Sequence, residues 1–78
     1  MTLEEAHPRI SADPAIMVGK PCIKGTRMPV YLIVREVAKG RTEPEILDSY
    51  PSLSPGDVAA ALAFAADVMA GDVLSAAE

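Results

Sequence analysis

The sequence predicts one small, mostly helical domain, in which three helices in helix-turn-helix order follow a short N-terminal β-hairpin arm. Its 78 residues suffice for a single domain. Up to Pro29, short β-prone runs alternate with Gly and Pro, whereas the apolar residues after it recur at helical spacing. A domain of this size buries only roughly 60% of the surface that its unfolded chain exposes, so its core alone stabilises it marginally. We therefore expect a partner or a second copy.

The first 29 residues show no helical periodicity. Residues 1–9 contain a His-Pro pair and no repeating apolar pattern, which predicts a flexible tail. Runs of two or three β-prone residues alternate with turn residues over 10–29, which predicts a small hairpin arm. Gly25 follows the run Cys22 to Lys24, at a position where a tight turn needs a positive φ.

The first helix is predicted over residues 30–39. Apolar residues recur there at i, i+3, i+4 and i+7, and Gly40 stands where a helix commonly ends. This stripe comprises Val30, Ile33, Val34 and Val37.

A capping box predicts the second helix. In the run Thr42 to Glu45, the Thr hydroxyl can accept from the Glu45 amide while the Glu45 carboxylate bonds back, and a Pro occupies the first turn. The helix is predicted over 43–50, with Pro51 ending it.

The third helix is predicted to start at Pro55, with Ser54 as its N-cap and an acid three residues after the cap. Gly71 interrupts the helical pattern. The domain is therefore predicted over 10–70, and a C-terminal helical extension over 71–78.

Charge is divided unevenly along the chain. All seven basic residues lie in residues 1–41 against four acids, whereas residues 42–78 hold seven acids and no Lys or Arg. One interpretation is a basic face for phosphates and an acidic face for another protein. The other is that the two halves attract each other across an ordinary solvated surface.

The sequence lacks the parts of a catalytic or metal site. One His, His7, and one Cys, Cys22, form neither a nucleophile–base pair nor a four-ligand zinc site. We expect no enzyme activity, cofactor, metal or small-molecule substrate. A single Cys also excludes an internal disulfide, and no apolar run reaches the roughly 18–20 residues of a membrane span, so we expect no membrane contact and a cytoplasmic protein.

Three motifs stand in fixed order along the chain. Gly19 to Val30 read GKPCIKGTRMPV, Gly40 follows the first predicted helix, and Tyr50 to Leu53 read YPSL before the third. With these motifs the stretch 10–66, about three quarters of the chain, resembles a small bacterial family described as domain of unknown function 433.

The resemblance implies a homeodomain-like or winged-helix fold with a short β-arm at its front. Several relatives are regarded as antitoxins paired with toxins of the PIN-like ribonuclease type. We therefore expect a type II antitoxin that binds and neutralises a PIN-like ribonuclease and contributes to repressing its own operon. The alternatives are a homodimeric protein-interaction adaptor and a stand-alone DNA-binding regulator without a toxin partner.

Operator DNA, if bound, must be bound by the basic half, because the third predicted helix offers no side chain for bidentate base contacts. Phosphate contacts of this kind would make the affinity fall steeply with salt. The other interpretation is that these cations guard a strand edge and complement the C-terminal end of the first helix. The candidate DNA-binding residues are Lys20, Lys24, Arg27, Arg35, Lys39 and Arg41.

The third predicted helix is apolar nearly all round, which in so small a domain favours contact with another chain. Homodimerisation and toxin binding both fit this pattern. The other interpretation is that this helix is simply the central one of the fold. The candidate partner-binding residues are Phe64, Val68, Met69, Val73 and Leu74.

Overall fold

The computed structural model describes residues 2–71 and contains, in that range, four α-helices and a two-stranded antiparallel sheet. The mostly helical fold predicted from the sequence is confirmed. The elements in chain order are α1 (Leu3–Ala6), β1 (Ile10–Ser11), a 3-10 turn (Met17–Gly19), β2 (Cys22–Ile23), α2 (Val30–Ala38), α3 (Glu43–Ser49) and α4 (Asp57–Met69).

A short helix, α1, occupies the segment for which the sequence predicts a flexible tail. The Thr2 hydroxyl accepts from the Glu5 amide at 3.2 Å, and the Glu5 carboxylate accepts from the Thr2 amide at 2.8 Å. Hydrogen bonds from the Thr2 backbone and hydroxyl hold the pKa of Glu5 below its ordinary value. His7 at the end of the helix is buried. A helix of four residues is too short to show an apolar periodicity in the sequence. The sequence therefore predicts a tail, whereas the structure has a capped and packed helix there.

The two strands do not project from the domain as an arm. Ile10 pairs with Ile23 and Ser11 with Cys22 in a ladder of two residues on each side. Ile10, Cys22 and Ile23 are almost fully buried, and both Ile side chains belong to the main hydrophobic core. The segment predicted as a β-hairpin arm therefore packs against the helices, because burial of its large apolar side chains stabilises the fold.

Helices α2 and α3 lie within one residue of their predicted bounds. Gly40 follows α2 with φ of 87°, and Gly25 adopts the positive φ that its turn requires, at 81°. The predicted capping box of α3 is present: the Thr42 hydroxyl accepts from the Glu45 amide, and the Glu45 carboxylate accepts from the Thr42 amide at 2.8 Å.

Helix α4 begins two residues later than predicted, and Ser54 is not its N-cap. Gly56 takes the cap position with φ of 95°, and the Ser54 side chain makes no cap hydrogen bond. The buried Asp57 carboxylate instead accepts from the Ser54 amide at 2.7 Å. The Ser and the acid of the predicted cap are both present, but the side-chain hydrogen bond is made by the Asp57 carboxylate and not by the Ser54 hydroxyl.

Arg9 holds the entrance to α4 from the far end of the sequence. Its Nη1 donates to the Pro55 carbonyl and to the Asp57 carboxylate, both at 2.9 Å. A Cβ added to Gly56 would lie 2.9 Å from this Nη1. The positive φ therefore favours glycine at 56, and a Cβ there would also displace the Arg9 guanidinium.

Gly56→Ala is expected to destabilise the fold by about 1–2 kcal/mol through backbone strain alone. Displacement of the Arg9 guanidinium adds a further loss of about 1 kcal/mol, the worth of a hydrogen bond. Gly40→Ala is the matched control, because its φ is also positive but a Cβ there meets nothing within 4 Å. Urea unfolding should show the larger loss for Gly56→Ala, and equal losses would contradict the role of Arg9.

The core lies where α2 and α4 pack together over α3 and the strands. Ile33 of α2, Ile46 of α3 and Ala61 of α4 have no solvent exposure. Gly71 follows α4 with φ of 84°, and the rest of the predicted C-terminal extension, residues 72–78, lies outside the described residues. None of the helices described between residues 2 and 71 has the length and apolar character needed to cross a membrane.

Candidate protein-binding groove

An open groove of about 350 Å³ runs between α2 and α4 and is almost entirely apolar. The loop before β2 closes one side of it. The lining residues are Lys20 and Pro21 of that loop, Val30, Tyr31 and Val34 of α2, and Phe64, Ala65, Val68 and Met69 of α4.

Helical spacing brings these side chains to one surface. Val30 and Val34 are four residues apart on α2, and Phe64 and Val68 are four apart on α4, so each pair forms a continuous ridge. Phe64 is 6% exposed, whereas Met69 is 86% exposed at the open end of α4. The groove therefore has a packed floor and an accessible rim.

Three of the five predicted partner-binding residues lie together in this groove: Phe64, Val68 and Met69. The other two, Val73 and Leu74, lie outside the described residues. The opposite wall, supplied by α2, was not predicted as part of the surface. The apolar stripe of α2 predicted only that this helix packs in the core. The periodicity of one helix face does not show which of its apolar residues remain accessible to solvent.

His7 contacts Phe64, on the floor of the groove, in an arrangement that the sequence did not predict. The Nε2 atom of His7 lies 2.7 Å from Oδ2 of Asp67, and the His7 ring meets Phe64 edge to face, with ring centroids 5.3 Å apart at 89°. Sixty residues separate His7 from Asp67, so no local pattern announces the pair. The contact ties α1 to α4 and restricts the orientation of Phe64.

The rim beside α2 carries two cations around one aromatic ring. Tyr31 is 43% exposed. Lys20 Nζ lies 5.0 Å from the centre of its ring, and Arg35 Cζ lies 5.2 Å from it. Two of the predicted DNA-binding residues thus meet at the edge of the apolar groove, held by cation–π attraction.

Two other predicted DNA-binding residues serve a buried carboxylate. Arg41 Nη1 lies 2.6 Å from Oε1 of Glu36, and Lys39 Nζ lies 3.2 Å from its Oε2. Arg41 also donates to the Glu45 carbonyl and the Ser49 hydroxyl, which links α2 to α3. The hydrogen bonds from Arg41 and then Lys39 hold the pKa of Glu36 below its ordinary value of 4.5.

The contribution of this cluster to stability depends on pH in a defined direction. Because the folded state lowers the pKa of Glu36, its stabilisation is fully present above the unfolded pKa and is lost as pH falls through the folded one. Arg41→Ala should therefore lower the Tm more at pH 7 than at pH 3, and Lys39→Ala should lower it less. Calorimetry at the two pH values measures this, and a loss for Arg41→Ala that does not change with pH would contradict it.

The last two predicted DNA-binding residues lie elsewhere on the surface. Lys24 Nζ forms an exposed ion pair with Oε1 of Glu4 at 3.2 Å, a contact of small energetic worth. Arg27 is exposed on the turn after β2. The six basic residues are thus divided among separate places, and only Lys20 and Arg35 border the groove.

The single thiol and the acids do not assemble into a reactive site within the described range. Cys22 is buried and donates to the Lys20 carbonyl at 3.3 Å. Burial raises the pKa of the Cys22 thiol, which makes the thiolate scarcer. No three His, Cys, Asp or Glu side chains between residues 2 and 71 are grouped so as to hold a metal ion.

Known proteins are similar to this chain in sequence and in fold. A family described as Protein of unknown function (DUF433) matches residues 10–65. The uncharacterized protein y4eO of Sinorhizobium fredii is 37% identical over 51 residues, which are 65% of this chain and 23% of that protein. The crystal structure of a DUF433 member protein from Anabaena variabilis has a TM-score of 0.74 at 25% identity, over 97% of this chain and 75% of that one. Because the family match spans more than half of the sequence, this chain belongs to the DUF433 family.

Proposed function

We propose that this chain is a non-catalytic binding module, and that the α2–α4 groove holds a partner protein. The partner in this proposal is a PIN-like ribonuclease, which makes the chain a type II antitoxin that neutralises it in the cytoplasm. The single observation that carries the binding role is the groove itself, an accessible and nearly wholly apolar surface on a very small domain. The ribonuclease is the partner that the family resemblance implies.

The energetics of the groove support a protein partner. Met69 and Tyr31 expose apolar surface to water, at a cost of roughly 25 cal/mol for each Å² that a partner could cover. The walls stand on two packed helices, so little conformational entropy is lost when the groove is filled. Contiguous exposed apolar surface rimmed by polar groups is typical of interaction sites.

Neutralisation in this proposal works by obstruction. All seven basic residues precede residue 42, and residues 42–78 contain no Lys or Arg. Residues 42–78 therefore cannot supply an Arg or Lys to an acidic nuclease site. The helical surface around the groove covers the nuclease instead. Arg27 and Lys24, both exposed on the β2 side, are the cations that we propose for insertion, and Lys24 would first have to leave its ion pair with Glu4.

Purification of the tagged chain from its host, with mass spectrometry of the bound proteins, tests the proposal. We expect a PIN-like ribonuclease at stoichiometric yield. Recovery of the chain alone, as a dimer by sedimentation, would contradict the antitoxin role and favour a homodimeric adaptor that uses the same groove. Recovery of the chain alone as a monomer would contradict both.

The proposal also includes a contribution of this chain to the repression of its own operon. In it, α2, α3 and α4 form a homeodomain-like helix-turn-helix unit, whose element order supports this arrangement. Lys24 and Arg27, with the rim pair Lys20 and Arg35, would contact phosphates, since Glu36 already engages the other two candidates. Operator affinity should fall linearly with salt on logarithmic axes, and no binding at any salt would contradict DNA contact.

A further inference from the structure

Lys20, Tyr31 and Arg35 form a cationic rim at the edge of the apolar groove. Lys20 and Tyr31 themselves line the groove, and Arg35 lies one turn of α2 beyond Tyr31. Both cations approach the same ring, at 5.0 and 5.2 Å from its centre. The groove thus combines carbon walls with two positive charges at one end.

Lys20 and Arg35 share an aromatic ring and, among the described residues, lack a carboxylate partner, and Arg27, which also lacks one, has no contact with the Tyr31 ring. The remaining four basic residues of the range 2–71 each pair with a carboxylate: Arg9 with Asp57, Lys24 with Glu4, and Lys39 and Arg41 with Glu36. No described carboxylate lies within ion-pair distance of Lys20 or Arg35. Both cations are attracted to the Tyr31 ring, and no carboxylate of the described residues neutralises either of them.

Such an arrangement favours an anion supplied from outside. A carboxylate at this rim would offset the positive charge there and accept a charge-assisted hydrogen bond from Lys20 or Arg35. The same ligand would need apolar side chains to fill the groove between Val34 and Val68. A free small anion lacks the apolar part, and a purely hydrophobic segment lacks the charge.

We infer that the groove recognises a protein segment that combines apolar side chains with an Asp or Glu carboxylate, and that the cationic rim of Lys20 and Arg35 binds this carboxylate. This inference rests on the proposed function and names the kind of surface that the partner presents. The charge of the rim selects among apolar segments, and the groove supplies most of the contact area.

Selection from a random peptide library displayed on phage tests the inference with the intact chain. We expect enriched peptides to share apolar residues and an Asp or Glu at a fixed spacing. Titration with the best synthetic peptide should show a roughly threefold to tenfold loss of affinity for Lys20→Gln combined with Arg35→Gln. Lys39→Gln, which removes an exposed charge that Glu36 engages and that does not contact the ring, should leave the affinity unchanged.

Several results would overturn the inference. They are a library that yields no binder, enriched peptides without an acid, and an affinity that is unaffected by the double substitution. A dimer that Met69→Asp converts to monomer would place a second copy in the groove. Tighter peptide binding by a chain with Asp72→Asn and Glu78→Gln would place the chain's own acids at the rim.

The peptide experiment is independent of the identity of the natural partner. A co-purifying PIN-like ribonuclease together with acid-free peptides would retain the proposed function and reject the acidic partner segment. Enrichment of acidic peptides without a co-purifying ribonuclease would support the preference of the cationic rim for a carboxylate and would contradict the antitoxin role.

Discussion

Met69→Asp is expected to weaken binding of the PIN-like ribonuclease by on the order of a hundredfold, a loss typical of a substituted interface hot spot. Met69 is 86% exposed at the rim of the groove, so the fold should tolerate the change. In the complex, however, the new carboxylate would replace an apolar side chain that packs against the partner, and its burial would remove it from water. Calorimetric titration of the variant with the purified ribonuclease measures the loss.

Ala63→Asp is the matched control for this prediction. Ala63 is exposed on the side of α4 opposite the groove, six residues from Met69, and the substitution adds the same charge to the same helix. Its affinity for the ribonuclease should stay within about threefold of the wild type, since surface positions away from an interface contribute little. Equal losses for the two variants would show that the partner does not occupy the groove.

Ile33→Ala is expected to destabilise the domain by about 2–5 kcal/mol, the range for truncation of a buried aliphatic side chain. Ile33 has no solvent exposure and lies at the centre of the core that α2 shares with α4. Because a chain of 78 residues is marginally stable, a loss of this size should leave a large unfolded fraction at room temperature.

Urea unfolding followed by circular dichroism measures this effect. Val18→Ala is the control, because Val18 is 92% exposed and its truncation removes no buried contact. Ile33→Val should lose only about 0.5–1.5 kcal/mol, since it removes one methyl group. A midpoint for Ile33→Ala as high as that of the Val18 variant would contradict the placement of Ile33 in the core.

The parts of the fold that the sequence predicted are those with local signals. The periodic stripe of α2 and the capping box at Thr42 depend on residues at most a few positions apart, and both are present in the structure. The spacing of Phe64 and Val68 likewise indicated an apolar surface on α4. Periodicity and capping report short-range geometry, so these elements could be predicted with good bounds.

The parts that were not predicted depend on residues distant in sequence. Arg9 meets Asp57 across 48 positions, and His7 meets Asp67 across 60, so neither pair leaves a pattern along the chain. Tyr31 gave no sign that two cations would share its ring. For the same reason the first nine residues were expected to be a tail, although α1 packs against β1 and His7 contacts Asp67 of α4.

Titration of RNA cleavage by a PIN-like ribonuclease tests most directly the proposed silencing of that enzyme by the α2–α4 groove. With increasing amounts of the wild-type chain, cleavage should stop near one equivalent. With Met69→Asp it should continue at that ratio, while Ala63→Asp should inhibit like the wild type. Cleavage that the wild-type chain leaves undiminished, or that Met69→Asp stops equally well, would contradict the account.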